Sequence, residues 1–379
     1  MDFGTKVLHT GNEIDSVTGA VSYPIYQVST FRQPNIDEFG PYDYARSGNP
    51  TRDALEGVIA QLEEGTKGFA FASGMAAISS VFLLFSPGDH LVVCEDVYGG
   101  TYRALTRLFS RLGVEVTFTD TTDSEAVLKA IRPNTKGLYL ESPSNPLLKI
   151  TDLTAMVDIA QARGILTIID NTFMTPYWQK PLKLGIDIVT HSATKFIGGH
   201  SDVIAGLVVV KDKKLAKELQ FIQNSFGAIL GPQDSWLLMR GIKTLKIRMD
   251  SHEAGARAVA QWLKEQAEIT KVYYPGLPEH PGHEIHKKQA GGFGGIVTFK
   301  TQTPELAKQV MNNVKLPALA VSLGAVESII SFPPKMSHAA MPPEERQKRG
   351  ITDDLIRLSV GIEDPADLIA DLSQALTGK

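Results

Sequence analysis

Cysteine is almost absent from this chain of 379 residues, and its scarcity excludes one class of protein. The single cysteine, Cys94, has no partner for an intrachain disulfide, so a small secreted scaffold held together by disulfides is excluded. It ends the apolar run Leu91–Cys94, which predicts a buried structural thiol and not a reactive one.

The chain also lacks an excess of basic charge and any long apolar run. The formal net charge of −4 provides no positive field to attract nucleic acid or an anionic membrane surface. No apolar stretch is long enough to cross a membrane, and the first residues lack the basic and then apolar pattern of a signal peptide. We therefore expect a cytoplasmic protein that binds neither nucleic acid nor membranes.

The composition and the length predict a globular protein with more than one domain. The hydrophobic content of 43% is ordinary, and the length exceeds what one core usually serves. Residues 1–50 are rich in turn formers and tyrosines, which indicates an arm that packs against something. We expect a large α/β domain over residues 51–241 and a smaller α+β domain over residues 242–379. Arg46 and Arg52, which flank a turn in and after the arm, are expected to be solvated charges.

Short apolar runs alternate with segments of helical period between residues 51 and 241. This alternation predicts a largely parallel sheet with helices on both faces, in which ligands collect outside the carboxyl ends of the strands. The predicted strands are 68–72, 90–93, 114–118, 137–140, 165–169, 186–189 and 205–210.

A long helix is predicted from about Pro232 to Glu265, and the patterns beyond it indicate the smaller α+β unit. The predicted strands of that unit are 271–274, 295–299, 327–331 and 355–360, and a last helix is predicted over 365–376.

The segment His191–Asp202 contains the strongest candidate for chemistry, Lys195. The apolar run before it predicts a buried strand whose end delivers the lysine into the protein. Burial disfavours the ammonium form and lowers the lysine pKa, which leaves an amine able to condense with an aldehyde. Ser192 and Thr194 lie two residues apart on an extended chain, so their hydroxyls point the same way and could meet one anion.

Other strand ends supply side chains to the same edge of the sheet. Ser73, Gly74 and Met75 stand between a strand and a helix, where unpaired N–H groups form an anion site. Tyr98 follows the second strand, and Asp170 ends the fifth. An amine, a carboxylate, an aromatic face and an anion cradle are together what pyridoxal 5′-phosphate (PLP) requires.

These residues belong to a set of motifs that resembles the cystathionine-metabolising family of PLP-dependent enzymes, which includes γ-synthases, γ-lyases, β-lyases and methionine γ-lyases. The resemblance runs nearly from end to end of the chain. One departure is Ala45, which replaces a common serine between the family's tyrosine and arginine and should matter little. The motifs are Tyr44–Arg52, Ser73–Met75, Asp96–Thr101, Glu141–Pro146, Asp170–Thr172, Ser192–Lys195 and Ser322–Ser328.

The resemblance implies a fold, an assembly and a set of site residues. The fold is α/β, fold type I of the PLP-dependent transferases, similar to aspartate aminotransferase, with a large mixed-sheet domain and a smaller C-terminal α+β domain. The assembly is a homotetramer, a dimer of dimers whose active sites are shared between subunits. Arg357, assisted by Asn145 and Ser322, would bind the substrate α-carboxylate, although the pattern alone would make it a surface arginine. The implied cofactor-binding residues are Tyr44 and Arg46, reaching a neighbouring subunit's cofactor phosphate, with Ser73, Gly74, Met75, Tyr98, Asp170, Thr172, Ser192, Thr194 and Lys195.

Within the family, the resemblance favours γ-elimination, with Lys195, Tyr98 and Glu327 as catalytic residues. Glu327 stands where γ-acting members carry glutamate and some β-lyases carry an aromatic residue, although β-lyases of other lineages share the glutamate. Gly100 stands where methionine γ-lyases usually carry cysteine. We expect a cystathionine γ-lyase-like enzyme, similar to bacterial ones, that forms cysteine, 2-oxobutyrate and ammonia and also releases sulfide from cysteine or homocysteine. Cystathionine β-lyase or an O-acylhomoserine-dependent γ-synthase is the alternative.

Two functions of other classes stay open on the sequence alone. A PLP-binding protein without turnover could use the same scaffold, although the intact Lys195, Asp170 and Arg357 argue against it. A metal hydrolase would depend on His283 and His286, whose spacing misses the usual zinc pattern, so no metal site is expected.

Overall fold

The computed structural model describes residues 1–11, 14–339 and 341–378, and it confirms the predicted fold class. A large mixed sheet of seven strands is followed along the chain by a smaller sheet of five strands, and helices accompany both. Within these ranges no helix combines the length and the apolar character that crossing a membrane would require.

The large sheet consists of β1 (Lys67–Phe71), β2 (His90–Cys94), β3 (Glu115–Thr119), β4 (Thr135–Glu141), β5 (Leu166–Asp170), β6 (Ile188–Ser192) and β7 (Gly206–Val210). Its strand order is β1-β7-β6-β5-β4-β2-β3. Only β7 runs against the others, and it pairs antiparallel with both β1 and β6. The described residues 193–205 between β6 and β7 contain no helix, so the chain turns back directly instead of crossing over the sheet.

The two faces of this sheet are buried in two separate hydrophobic cores. Along β5, Ile168 joins the core that contains Phe82, whereas the next residue, Ile169, joins the core that contains Leu55. Burial on both faces explains why these strands read as nearly continuous apolar runs. The accompanying helices are α1 (Phe3–His9), α2 (Pro50–Glu63), α3 (Gly74–Phe82), α4 (Gly99–Arg107), α5 (Ser124–Ala130), α6 (Leu153–Gln161), α7 (Thr175–Trp178) and α8 (Lys213–Phe226), with 3-10 turns at Phe109–Leu112 and Pro181–Leu184.

The single long helix predicted from Pro232 to Glu265 is wrong. The chain forms two helices, α9 (Pro232–Ile242) and α10 (Leu245–Lys264), separated at residues 243 and 244. The carbonyl of Gly241 accepts hydrogen bonds from the Thr244 hydroxyl at 3.2 Å and from the Arg248 guanidinium at 2.8 Å. A side chain at position 241 would lie 2.4 Å from the Gly198 carbonyl oxygen. The break therefore follows from tertiary contacts with the segment after Lys195.

The small sheet consists of β8 (Ile269–Tyr273), β9 (Ile296–Thr301), β10 (Ala318–Leu319), β11 (Ile329–Ser331) and β12 (Leu355–Ser359), in the order β10-β11-β12-β9-β8. The accompanying helices are α11 (His283–Gln289), α12 (Pro304–Asn313), α13 (Pro343–Lys348) and α14 (Pro365–Thr377), with a 3-10 turn at Pro333–Lys335.

The strand predicted to start at residue 327 begins later, at Ile329. The backbone N–H and the hydroxyl of Ser328 donate to the Glu363 carboxylate at 2.6 and 2.9 Å, instead of joining the sheet. Glu327 consequently lies in a loop before the strand, where its side chain is exposed.

Candidate active site

The carboxyl ends of the parallel strands open into a cavity of about 1140 Å³. Its wall contains thirteen of the fifteen site residues predicted from the sequence, and residues of both sheet regions contribute to it. Tyr44 and Arg46 do not line it. The thirteen are Ser73, Gly74, Met75, Tyr98, Asn145, Asp170, Thr172, Ser192, Thr194, Lys195, Ser322, Glu327 and Arg357.

Lys195 lies in the turn that follows β6, with its amine in the cavity wall. The amine donates a hydrogen bond to the Ser322 hydroxyl at 2.6 Å. Burial, and secondarily the positive charge of Arg357, lowers the pKa of Lys195 to about 8. Arg248 holds the following residues, because its guanidinium donates to the Phe196 carbonyl at 2.6 Å. The turn therefore presents an amine that is partly neutral near physiological pH.

Asp170 is a buried carboxylate at the end of β5, and Thr172 determines its orientation. The Thr172 N–H and hydroxyl both donate to Asp170 Oδ1, at 3.0 and 2.5 Å. Burial raises the pKa of Asp170, whereas the Thr172 hydrogen bonds stabilise its charged form. Among the described residues no hydrogen bond reaches Oδ2, so this oxygen is available to a positively charged donor in the cavity.

The start of α3 has the features of an anion cradle. The Ser73 side chain caps the helix by accepting the Ala76 N–H at 3.0 Å, which leaves the N–H groups of Gly74 and Met75 without acceptors among the described residues. A Cβ at position 74 would lie 2.9 Å from the Ser192 side chain, so only glycine leaves this close approach open. An anion here would meet backbone donors and the Ser192 hydroxyl together.

The predicted pairing of the Ser192 and Thr194 hydroxyls is only partly matched by the structure. Both residues line the cavity, but the Thr194 hydroxyl donates to the Ala205 carbonyl at 3.2 Å and accepts the Ala205 N–H at 3.0 Å. In this conformation the Thr194 hydroxyl therefore uses its proton in a hydrogen bond that stabilises the connection between β6 and β7. The turn after Ser192 departs from the extended chain on which the prediction was based.

Arg357 lies in the middle of β12, and the expectation of a surface arginine from the pattern alone is wrong. Its side chain is 2% exposed, and it donates to Asn145 Oδ1 and to the Ser322 carbonyl, both at 2.8 Å. Its Nε is buried without a partner among the described residues. Burial lowers the pKa of Arg357 to about 10, which still leaves it charged at neutral pH. The guanidinium is therefore oriented and retains donors for a carboxylate.

The Tyr98 ring lines the cavity from the start of α4 and is 38% exposed. Its backbone N–H donates to Glu141 Oε2 at 3.0 Å. A Cβ at position 100 would lie 2.4 Å from Tyr98 Cε1 and 2.9 Å from the Met75 sulfur. Gly100 therefore allows the tyrosine ring to fold back against the backbone.

Three further charged residues in the cavity wall, Glu141, Arg103 and the exposed Asp202, were not identified from the sequence. Glu141 ends β4 directly beside Asp170, so the strand-end rule that identified Asp170 could also have found it. Arg103 is exposed on α4 and, like Glu327, forms no hydrogen bond or ion pair with any described residue. No local signal distinguishes Arg103 from an ordinary surface arginine.

The arm residues lie apart from this chain's own cavity. Tyr44 is 46% exposed, and Arg46 is exposed and donates to the Asn224 carbonyl at 2.7 Å. The expectation that Arg52 is solvated is wrong. Arg52 is 1% exposed and donates to the carbonyls of Ala45 and Arg46, because a buried guanidinium must satisfy its donors. The contact of the arm with a neighbouring subunit stays a prediction.

The wall of the cavity fits PLP on observations that do not depend on the motifs. Lys195 supplies an amine of low pKa for the aldehyde, Asp170 has a free oxygen for the ring nitrogen, and the start of α3 has free donors for the phosphate. Within the described ranges, no three His, Cys, Asp or Glu side chains lie close enough to hold a metal ion. His286 instead uses Nε2 in a 2.9 Å hydrogen bond with the Gly292 carbonyl.

Comparisons with known proteins agree with this chemistry. The chain matches the family model described as Cys/Met metabolism PLP-dependent enzyme over residues 4–377. It is 57% identical to a cystathionine gamma-lyase of Bacillus subtilis (strain 168), with 98% of each chain covered. It is 56% identical to a cystathionine beta-lyase of the same strain, with 98% of this chain and 95% of that protein covered. The solved structure of cystathionine gamma-lyase from Lactobacillus plantarum complexed with L-serine is 50% identical, with a TM-score of 0.97 over 100% of this chain and 99% of that chain.

Proposed function

This chain belongs to the family of PLP-dependent enzymes of cysteine and methionine metabolism, and from that premise we propose that it splits L-cystathionine by γ-elimination into L-cysteine, 2-oxobutyrate and ammonia. Membership confirms the family resemblance, the PLP cofactor and the expectation of an enzyme in trans-sulfuration. The particular reaction and the roles of the residues below are the proposal.

Lys195 performs the proton transfers in this proposal. PLP, when bound, supplies an electron sink for the charge that remains after the α-proton has left. With a pKa of about 8, the Lys195 amine is neutral in a substantial fraction of molecules at neutral pH and can accept that proton. γ-Elimination also requires removal of a proton from the β-carbon, and the same amine serves for this second transfer. A positioned base of this kind contributes roughly 10² to 10⁴ in rate.

Arg357 binds the substrate α-carboxylate. Two of its five N–H groups are used by Asn145 and by the Ser322 carbonyl, which fix the plane of the guanidinium. The remaining donors, including the unpartnered Nε, can bind a carboxylate in the cavity. The amino acid is thereby oriented with its α-carbon near the lysine that carries the proton.

The observation that carries the choice of cystathionine is the pair of opposite charges in the cavity wall, Arg103 and Glu327. Neither side chain has an ion-pair partner among the described residues, and both line the cavity that contains Lys195. Cystathionine has a second carboxylate and a second ammonium group at its distal end. The cation Arg103 and an anion, Glu327 or the exposed Asp202 of the same wall, match those two groups, whereas cysteine has no distal charges to bind.

The choice of γ- over β-elimination rests on Glu327, because the family's γ-acting members carry glutamate at that position. β-Elimination, which forms pyruvate, ammonia and homocysteine, is the second candidate, and the 56% identity to a cystathionine beta-lyase favours it almost as strongly as the 57% identity to the gamma-lyase favours the first. Weak release of sulfide from cysteine or homocysteine is expected in either case, because Arg357 and Lys195 do not depend on the distal group.

Separation of the keto acids formed from cystathionine by the purified PLP-loaded enzyme tests the proposal. Mainly 2-oxobutyrate with cysteine supports γ-elimination, and mainly pyruvate with homocysteine supports the β-lyase alternative. Absence of both keto acids would refute the lyase activity. Addition of O-acylhomoserine and cysteine tests the γ-synthase alternative, since a synthase would form cystathionine from them. Lys195→Ala serves as the negative control and should lose both turnover and the absorbance of the PLP–lysine bond.

The assembly proposed for this enzyme is a homotetramer of two dimers, in which Tyr44 and Arg46 complete a neighbouring subunit's site. Both residues lie outside the cavity of their own chain. Mixing inactive Lys195→Ala and Arg46→Ala subunits provides a test, because a mixed dimer would contain one site with both residues intact. Recovery of activity after mixing supports sharing, and no recovery in demonstrably mixed dimers would refute it.

A further inference from the structure

Glu141 is a buried carboxylate in the cavity wall, and no step of the proposed function uses it. It ends β4, is 6% exposed, and pairs in the sheet register with Asp170 at the end of β5. Burial of a second acidic group beside Asp170 is costly, so its contacts require an explanation.

The Glu141 carboxyl joins two loops that both reach the cavity. Its Oε2 accepts the backbone N–H of Tyr98 at 3.0 Å, and the backbone N–H of Asn145 acts on the same carboxyl in the direction that lowers its pKa. The first loop carries the aromatic ring of the cavity, and the second carries the amide that orients Arg357. One side chain therefore connects the aromatic face and the carboxylate-binding arginine to the strand end beside Asp170.

The surroundings of the two neighbouring carboxyl groups, Glu141 and Asp170, differ. Burial, and then the charge of Asp170, raises the pKa of Glu141 well above its usual range. Asp170 instead receives two hydrogen bonds from Thr172 that favour its charged form. The surroundings therefore disfavour the charged form of Glu141, and a carboxyl accepts an N–H hydrogen bond whether it is neutral or ionised.

We propose that Glu141 is a positioning residue, whose carboxyl fixes the Tyr98 and Asn145 loops relative to Asp170 and thereby sets the aromatic face and the carboxylate-binding arginine around the cofactor. The inference rests on the proposed roles of Tyr98 and Arg357. It requires a hydrogen-bond acceptor at position 141 and not a negative charge. A replacement that keeps the acceptor and one that removes it should therefore give different results.

The test compares Glu141→Gln, which keeps an acceptor oxygen and the volume, with Glu141→Ala, which removes the acceptor. The readouts are the visible circular dichroism of bound PLP, the Kd for PLP measured with the apo-enzyme, and KM and kcat for the amino-acid substrate. We expect Glu141→Gln to stay within about threefold of the unmodified enzyme in Kd and KM, with its circular dichroism band retained. Glu141→Ala should lose most of the band and raise KM roughly 10-fold, because the Tyr98 N–H loses its acceptor and the Asn145 loop loses the carboxyl beside it.

Two further variants separate positioning from general destabilisation. Asp371→Ala is the matched control, because Asp371 is also buried and accepts the backbone N–H groups of Lys315 and Leu316, but lies on α14 outside the cavity wall. It should leave the cofactor band unchanged. If Glu141→Ala does not fold, Glu141→Asp replaces it, since the shorter side chain withdraws the acceptor while keeping a carboxyl group.

An unchanged band and KM in Glu141→Ala, or in Glu141→Asp where that variant replaces it, would overturn the proposal. Equal losses in Glu141→Gln and Glu141→Ala would also overturn it, since the charge and not the acceptor would then matter. A changed circular dichroism band of bound PLP in Asp371→Ala would also overturn the proposal. Formation of pyruvate from cystathionine would refute γ-elimination but would leave the PLP readouts unaffected, so the two failures are distinguishable.

Discussion

Replacement of Arg357 by glutamine should raise the pKa of Lys195. The pKa of this lysine is lowered from 10.5 to about 8, first by burial and second by the charge of Arg357. Glutamine keeps much of the side-chain volume and removes the positive charge. Because a neighbouring positive charge disfavours the ammonium form, its removal favours protonation and shifts the pKa upward.

The size of the shift follows from the order of the two causes. Burial remains in the variant and is the larger cause, so less than half of the displacement should be recovered, which places the pKa near 9, about one unit higher. At pH 7.5 the neutral fraction of Lys195 would fall from about a quarter to about 3%. A reaction that needs the neutral amine should therefore be roughly eightfold slower at that pH.

The rate at which the apo-enzyme combines with PLP, followed by absorbance between pH 6 and pH 10, measures this directly. The midpoint of the rate profile should move upward by about one pH unit in Arg357→Gln, and the rates of the two proteins should converge at high pH. An unchanged or lowered midpoint would refute the coupling between Arg357 and Lys195. Arg103→Gln is the matched control, because Arg103 is not a cause of the Lys195 shift and its loss should leave the midpoint in place.

Other substitutions test further parts of the site. The folded-state pKa of Lys195, about 8, lies below its unfolded value of 10.5, so the stability of the apo-enzyme rises with pH between these two values. Lys195→Met should therefore raise the free energy of unfolding of the apo-enzyme at pH 7 by on the order of 3 kcal/mol, measured by urea unfolding. An equal gain in stability at pH 10.5 would contradict this. Arg103→Ala should raise KM for cystathionine about 10-fold, because one charged hydrogen bond to the distal carboxylate is lost. The KM for cysteine should change less than about twofold. Equal effects on both substrates would contradict the binding of the distal group by Arg103. Gly100→Ala should displace the Tyr98 ring, since its Cβ would lie 2.4 Å from Cε1, and an unchanged dichroism of bound PLP would contradict that contact.

The part of the site that lies at strand ends is predictable from sequence, because an apolar run locates the strand and the next polar residue locates the edge of the sheet. Asp170 and Lys195 were found in this way. Glu141 ends β4 in the same register as Asp170 and obeys the same rule. It was overlooked as an individual residue because an acid after a strand is usually solvated, and only its burial and its hydrogen bond from the Tyr98 N–H distinguish it.

Contacts between distant parts of the chain could not be predicted in the same way. Arg357 meets Asn145 across 212 residues of sequence, and its own strand pattern shows only that its neighbours are buried. The break between α9 and α10 likewise has no local breaker strong enough to predict it. The Gly241 carbonyl is bound by the nearby Thr244 and Arg248, and the distant contribution is the close approach of position 241 to the Gly198 carbonyl, which leaves no room for a side chain.

The arm packs against the rest of the chain and leaves part of its apolar surface exposed. Its path is fixed by contacts with the body, since the Asn49 amide donates to the Tyr26 carbonyl at 2.9 Å and the Trp236 indole donates to the Tyr23 carbonyl at 3.1 Å. Many of its apolar side chains are nevertheless exposed, and such a concentration is unusual on the surface of a monomer. The exposed large apolar residues among the described residues of the arm are Met1, Leu8, Ile14, Val17, Val21, Ile25, Tyr26, Val28, Ile36, Phe39 and Tyr44.

An ordered segment with an uncovered apolar surface is what an interface between identical subunits requires, because the surface then becomes buried without a large ordering cost. The same segment carries Tyr44 and Arg46, which lie outside their own chain's cavity. On their predicted role, each cavity gains its last phosphate-binding residues only when a second subunit's arm reaches it. The number of complete active sites would then be a property of the dimer and not of the single chain.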